Sequence, residues 1–330
     1  MIRIIDATLS LLDSYDLNKK AIFAFIELMG EIGIKSLQIS INTYYTMEGE
    51  LPEGFQYYLE VDTASYMNCI YPSHDKEDMY FFVPKEPCGK REIATYHING
   101  MEDPFKRGNV EKNALRKVVG LDNLILGGAA AGILALKKEY DLSRLFLCPE
   151  DTYHCATAIA LLFLQNKGYA VISSMLGIEN KAATEQILLA LHVLERYMVN
   201  KSFKGMVKIR DWLEKNLKID ISPMAPILGR RIFCVESGIH VDGILKKPTN
   251  YEPYAPELVG LSREIVLGKH SGRNSVSYKM NELQPGIKPG ECCEIILEEV
   301  KYKSRTSGKR VTDDEFMEIV ERVGRHEENT

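Results

Sequence analysis

No apolar stretch in the sequence reaches the roughly 20 residues that a membrane-spanning helix needs, so no membrane partner is expected. Positive charge is in deficit: 41 Lys and Arg stand against 46 Asp and Glu, for a net charge of −5. That balance argues against a nucleic-acid or anionic-lipid surface as the main partner. The seven cysteines (69, 88, 148, 155, 234, 292 and 293) include no C-x-x-C spacing, so neither a zinc finger nor a disulfide framework can be built from them. The opening MIRIIDATLS runs directly into a strand-like segment without a signal-type apolar region. A cytoplasmic location with reduced thiols is the resulting expectation. Internal repeats and low-complexity tracts are also missing, which excludes solenoids and propellers. The single basic run, Lys301 to Arg310, reads as a solvated helix-to-loop segment.

What is present is material for a core. The 330 residues are 45% hydrophobic and 26% charged, enough for one large domain and a smaller one. Ile2–Asp6 and Ser36–Ile41 read as strands. Between them Ile22, Phe25, Ile26, Met29 and Ile32 recur at helical spacing after Asp16, a candidate N-cap. Asn123–Gly127, Leu145–Cys148 and Tyr169–Ser173 read as further apolar strands, with helices over Tyr153–Gln165 and Thr184–Met198. Alternating strands and helices with apolar strands indicate an α/β fold with a parallel sheet or (β/α) barrel. A complete TIM-type barrel takes about 250 residues. The alternation here ends near residue 198 and is illegible between Gly49 and Lys117, so the expected barrel is abbreviated and degenerate. Residues 1–198 are assigned to it, 199–235 to a linker region containing a polar helix around Trp212, and 236–330 to a small, mostly helical C-terminal subdomain with helices over Cys292–Val300 and Asp313–Val323.

Residues 236–273 read ESGIHVDGILKKPTNYEPYAPELVGLSREIVLGKHSGR. The pieces E-S-G-I-H-x-D-G, N-Y-E and L-G-K-H-S-G-R, in that order, resemble the post-barrel subdomain of the homocitrate synthase and 2-isopropylmalate synthase family. Those enzymes deprotonate the methyl group of acetyl-CoA, add the enolate to a 2-oxo acid and hydrolyse the thioester. A His and a Tyr within hydrogen-bond reach can relay the proton, and the resemblance places that catalytic pair at His240 and Tyr251. Without it, a structural histidine and an interface aromatic are equally ordinary readings. Asp242 could orient His240 or close a turn with Gly243, and the turn is preferred. Gly268–Gly272 could form an anion-holding nest, and a structural turn is preferred.

The resemblance reaches the N-terminal part in degraded form. The family's first strand ends D-T-T-L-R-D-G-E-Q, supplying an Arg and a metal-binding Asp; here Ser10 and Leu11 stand in those places. The family's H-x-H, followed by A-T-A, corresponds to Cys148-Pro149-Glu150 before Ala156-Thr157-Ala158, and a metal-binding Asn corresponds to Ala182. Leucine offers no ligand atom, so no metal site is expected in this chain, and no cofactor. What the resemblance implies is a division of labour, as in the omega-type subunits of two-subunit homocitrate synthases. A barrel-intact alpha-type partner would hold the divalent metal and the 2-oxo acid, while this chain, acting on acetyl-CoA as substrate, lends His240 and Tyr251. By the same resemblance, homocitrate would serve the nitrogenase iron–molybdenum cofactor. The rival reading is a non-catalytic regulatory or scaffolding pseudo-subunit of a related synthase.

Overall fold

The computed structural model describes residues 2–72, 79–84, 87, 89–102, 114–194, 202–285 and 290–327. Two units follow one another, Met1–Asp220 and Ile221–Thr330.

The first unit is a closed barrel of eight parallel strands: β1 Ile4–Asp6, β2 Ser36–Ser40, β3 Gln56–Glu60, β4 Met79–Val83, β5 Glu92–Ile98, β6 Arg116–Gly120, β7 Leu145–Pro149 and β8 Ala170–Ser173. The barrel closes through Ile4–Val171, Ile5–Ile172 and Asp6–Ser173. It is abbreviated in its crossovers, not in its strands. Among the described residues, the β2–β3 and β3–β4 links carry only the short helices α2 (Ile41–Thr46) and α3 (Thr63–Met67), and the β4–β5 link spans 84–91, shorter than the roughly dozen residues a packed crossover helix takes. Longer helices cover the rest: α1 Lys19–Glu31, α4 Ala129–Glu139, α5 Ala156–Gln165, α6 Thr184–Leu194 and α7 Gly205–Leu217. The expected end of α6 at Met198 lies outside the described residues. Asn18, not Asp16, caps α1, its side chain accepting from the Ala21 N–H at 3.0 Å.

Two readings change. Asn123–Gly127 is not a strand. Leu124, Leu126 and Gly128 donate to Leu121, Asn123 and Ile125, three consecutive i→i−3 turns that follow β6. The strand itself, RKVVG, begins with two buried cations and so escaped the search for apolar runs. The region around Trp212, expected in a linker, is α7 of the barrel unit. The Trp212 ring packs tilted at 48° against Phe25 of α1, centroids 4.6 Å apart, and its indole N–H donates to the Ala21 carbonyl at 3.0 Å.

Inward-facing side chains fill the barrel with Ile5, Tyr58, Phe82, Ile93, Val119, Phe146, Cys148 and Ile172. At one end Arg3 donates to the hydroxyls of Tyr58 (2.8 Å) and Tyr169 (3.0 Å).

The second unit pairs β9 (Cys234–Val235) with β10 (Glu264–Ile265) in parallel and adds the helices α8 Gly238–Lys246, α9 Arg273–Leu283, α10 Cys293–Ser307 and α11 Asp313–Glu327. Its core is Leu267, Val276, Met280, Ile296, Leu297, Val300, Val311, Phe316, Ile319 and Val323. The basic run ends α10, with Lys301 bonded to Glu298, Lys303 to Glu315 and Arg310 to Glu264. Among the described residues no helix is long and apolar enough to cross a membrane.

Candidate functional site

The two sequence motifs of the second unit are knitted together by backbone. Gly238, at the start of α8, lies so close to Gly272 that a Cβ on it would sit 2.7 Å from the Gly272 Cα, so no side chain fits there without a backbone shift. The Gly238 N–H donates to the His270 carbonyl at 3.0 Å, and the His270 N–H donates to the Glu236 carboxylate at 3.0 Å. The turn at Gly268–Gly272 is closed by the Ser271 hydroxyl, which accepts from the Gly268 N–H. The backbone donor at His270, which a nest would offer to an anion, therefore serves the chain's own Glu236. A recess of about 570 Å³ lies beside this junction, lined by Glu236, Ser237, Ile239 and His270 among others.

His240 and Tyr251 meet on the surface of the same block. Their rings stand edge to face, with centroids 5.9 Å apart and planes at 70°. Both side chains are exposed, Tyr251 by 45%. The contact depends on Gly243, one turn along α8 from His240, because a Cβ there would fall 2.2 Å from the Tyr251 hydroxyl. Tyr251 is held through its neighbour: Glu252, only 8% exposed in its side chain, takes a bidentate bond from Arg263 at 2.6 and 2.7 Å. That partnership was not read from the sequence, where Arg263 is one more charge in a loop. Asp242 neither orients His240 nor closes a turn. It lies within α8 and accepts from Lys246 (2.7 Å) and Asn274 (2.6 Å).

In the first unit, the positions corresponding to family metal ligands also converge, without donors to match. Leu11 ends the 3-10 turn Thr8–Leu11 and packs against the barrel core that contains Cys148. Ala182 is fully buried. Glu150, beyond β7, accepts from Lys181 at 2.7 Å. Burial pushes the Cys148 thiol above its usual range, against the fields of Lys181 and Lys117. For Lys181 burial opposes the charge, but Cys148, Glu150 and Glu60 outweigh it and raise the pKa. A protonated buried thiol and a carboxylate already bonded to an ammonium do not suit a divalent cation. Among the described residues no three His, Cys, Asp or Glu side chains form a group fit for one. Ser10, in the place of the family's Arg, donates to the Ala7 carbonyl and accepts from Gln38 at 2.9 Å. Deeper in, Lys117 bonds Glu60 at 2.5 Å and Gln38 at 3.2 Å. Gly127 and Gly128 are exposed and lead into α4, whose first residues Ala129–Ala131 are exposed too.

A second buried polar group lies under β1 and β8. Asp6 accepts from the Thr184 hydroxyl (2.6 Å) and the Thr8 N–H (3.0 Å), and burial raises its pKa to about 6. Glu185 accepts from the Leu176 N–H at 3.0 Å and is raised to about 7, again chiefly by burial. Neither carboxyl is marked by a local pattern in the sequence.

Residues 227–307 match the family described as homocitrate synthase post-HMGL domain-like. The chain is 33% identical over 191 residues to the homocitrate synthase of Methanothermobacter thermautotrophicus, covering 57% of this chain and 48% of that protein. It is 34% identical over 184 residues to the homocitrate synthase omega subunit of Clostridium pasteurianum, covering 56% of this chain and 51% of that protein. It is 32% identical over 196 residues to the 2-isopropylmalate synthase of Methanocaldococcus jannaschii, covering 57% and 37%. The chain spans about half the length of the curated relatives it matches, or less.

Proposed function

From the premise that this chain is a relative of the homocitrate and 2-isopropylmalate synthases, we propose that it works as one subunit of a heteromeric homocitrate synthase, joining acetyl-CoA to 2-oxoglutarate. The observation that carries the reading is the asymmetry of the two units. His240 and Tyr251 stand together and exposed on a rigidly built block, while the barrel offers Leu11, Cys148 and a lysine-bound Glu150 at the ligand positions.

In this reading a partner barrel binds the 2-oxo acid and supplies a Lewis acid that polarises the ketone. This chain's part is proton transfer. The imidazole of His240 and the phenol of Tyr251 lie edge to face, so one can take a methyl proton from acetyl-CoA while the other bonds the developing enolate or the alkoxide. Exposure suits a pair that acts on a substrate held elsewhere. The omega-subunit relative supports the choice of a divided enzyme over a self-sufficient one.

The test is co-expression with a barrel-intact alpha-type synthase subunit. Condensation is expected from the co-purified pair and from neither chain alone, with no stoichiometric divalent metal in this chain by elemental analysis. A partner fully active alone, with the two chains separating on size exclusion, would favour the regulatory pseudo-subunit. A metal at about one per chain, with activity lost on chelation, would overturn both readings.

A further inference from the structure

We propose that the barrel of this chain forms an imine between Lys117 and the carbonyl of a short 2-oxo acid. This rests on the barrel unit alone and is independent of the role given to His240 and Tyr251.

Lys117 points into the barrel from β6 with only 3% of its side chain exposed. Its Nζ lies 2.5 Å from Glu60 of β3, 3.2 Å from the Gln38 carbonyl oxygen of β2, and 4.5 Å from the centre of the Phe82 ring of β4. Burying an ammonium to tie strands together is an expensive way to fill a barrel, since an apolar side chain of the same volume is often neutral or better. A buried primary amine against an aromatic wall, with a carboxylate at hydrogen-bond distance, is instead the arrangement that makes lysine a carbonyl nucleophile.

Three further observations fit a ligand. Glu60 keeps 35% of its side chain exposed, so the dyad is open to solvent at the C-terminal ends of the strands, where barrel ligands enter. Thr95 of β5 is the direct register neighbour of Lys117, and its hydroxyl is buried with no hydrogen-bond partner. Such an unsatisfied group suits the oxygen of an incoming carbonyl. Lys181 adds a second cation: Glu150 takes one of its three N–H donors at 2.7 Å, and a further donor suits the carboxylate of a 2-oxo acid.

The step balances within these groups. Glu60 takes a proton from the Lys117 ammonium, and the freed lone pair forms the N–C bond to the ketone carbon. Glu60 returns that proton to the carbonyl oxygen and removes another from the new nitrogen centre, giving the carbinolamine. It then passes this second proton to the hydroxyl, which leaves as water while nitrogen and carbon form the double bond. One ketone and one ammonium become one protonated imine and one water, Glu60 ends as the carboxylate, and no oxidant or reductant is consumed.

The experiment is to incubate the full chain with pyruvate and sodium cyanoborohydride, digest it, and map the product by mass spectrometry. A single carboxyethyl group on Lys117, ahead of every exposed lysine, is expected. Lys117→Arg keeps a cation for Glu60 and should lose the adduct. Glu60→Gln should slow trapping by about 10²-fold, the lower end of what a positioned base supplies. Should Lys117→Arg fail to fold by circular dichroism, mapping on the unmodified sequence decides alone. Label spread over exposed lysines with Lys117 untouched, or trapping undiminished in a folded Lys117→Arg, would overturn the proposal. Undiminished trapping in Glu60→Gln would overturn the role of the carboxylate. No partner chain enters the assay, so its failure and that of the heteromer reading are separable.

Discussion

The mouth of the barrel and the α8 block treat their polar side chains in opposite ways. At the mouth, beside the more open Lys117–Glu60 dyad, polar groups satisfy one another: Lys181 with Glu150 and Gln38 with Ser10. On the α8 block the bonded groups are the supports, Glu252 with Arg263 and Glu236 with the His270 N–H, while among the described residues no hydrogen bond occupies the imidazole of His240 or the phenol of Tyr251. A polar cluster that is closed on itself rigidifies, whereas polar tips held on a braced scaffold and left open remain available to a substrate. Position in a family motif is therefore a weaker guide than whether the neighbours have already claimed a side chain's bonds.

The sharpest way to break this contrast is kinetic. In the assembled complex, His240→Ala or Tyr251→Phe should lower kcat by roughly 10²–10⁴-fold, the usual worth of general acid–base catalysis. Cys148→Ala or Glu150→Gln should leave it near the unsubstituted value. Steady-state assays on complexes of verified size would show this, and normal turnover in the His240 variant would remove the catalytic reading.

Removing the brace comes next. Arg263→Ala leaves the buried Glu252 carboxylate without its partner and should cost roughly 3 kcal/mol, the lower end for breaking a buried pair. Denaturant unfolding measures the loss, and turnover should fall with it because Tyr251 is the next residue.

The barrel unit should respond to pH instead. Asp6 and Glu185 are fully buried with pKa values raised to about 6 and about 7. A raised carboxyl binds its proton more tightly in the folded state, so this contribution is complete below about pH 4 and is lost as pH rises through 6 to 7. Each group is worth on the order of 2–3 kcal/mol across that window. Thermal unfolding scans from pH 5 to 8 should show it, and Asp6→Asn with Glu185→Gln should flatten the slope.

The smallest expected change separates geometry from stability. Gly243→Ala removes a helix-weakening glycine and should raise stability by roughly 0.5–1 kcal/mol if its methyl can be absorbed. The same methyl must displace the Tyr251 ring, so turnover should drop while the melting temperature holds or rises. Falling stability and unchanged turnover would mean that the His240–Tyr251 contact is not used.

Much of this was legible in the sequence, and the losses have physical causes. Strands whose inward residues are apolar, such as LFLC, announced themselves. RKVVG did not, because its two cations find partners far along the chain: Lys117 in Glu60, and Arg116 over the Tyr140 ring at 5.7 Å. NLILG was misleading because Leu124 is buried from a turn, while Leu126 is left 55% exposed. QYYLE, MYFFV and EIATYHI were hidden in a stretch interrupted by Pro, Gly and charges, where among the described residues only the short helices α2 and α3 stand between strands. His240 and Tyr251 were legible only through their motif. Neither the Arg263 brace nor the Asp6–Glu185 pair has a local pattern, since each depends on residues that the fold alone brings near.

The three-residue strand β1 has a consequence for synthesis of the chain. It lies at the beginning of the barrel and pairs with β8, the last barrel strand to be made. Until β8 leaves the ribosome, the nascent sheet carries two unpaired edges and its lumen stays unsealed. An interval of that kind exposes backbone to neighbouring chains and favours aggregation over closure. A chaperone that covers the open edges until β8 has emerged would therefore raise the yield of soluble protein.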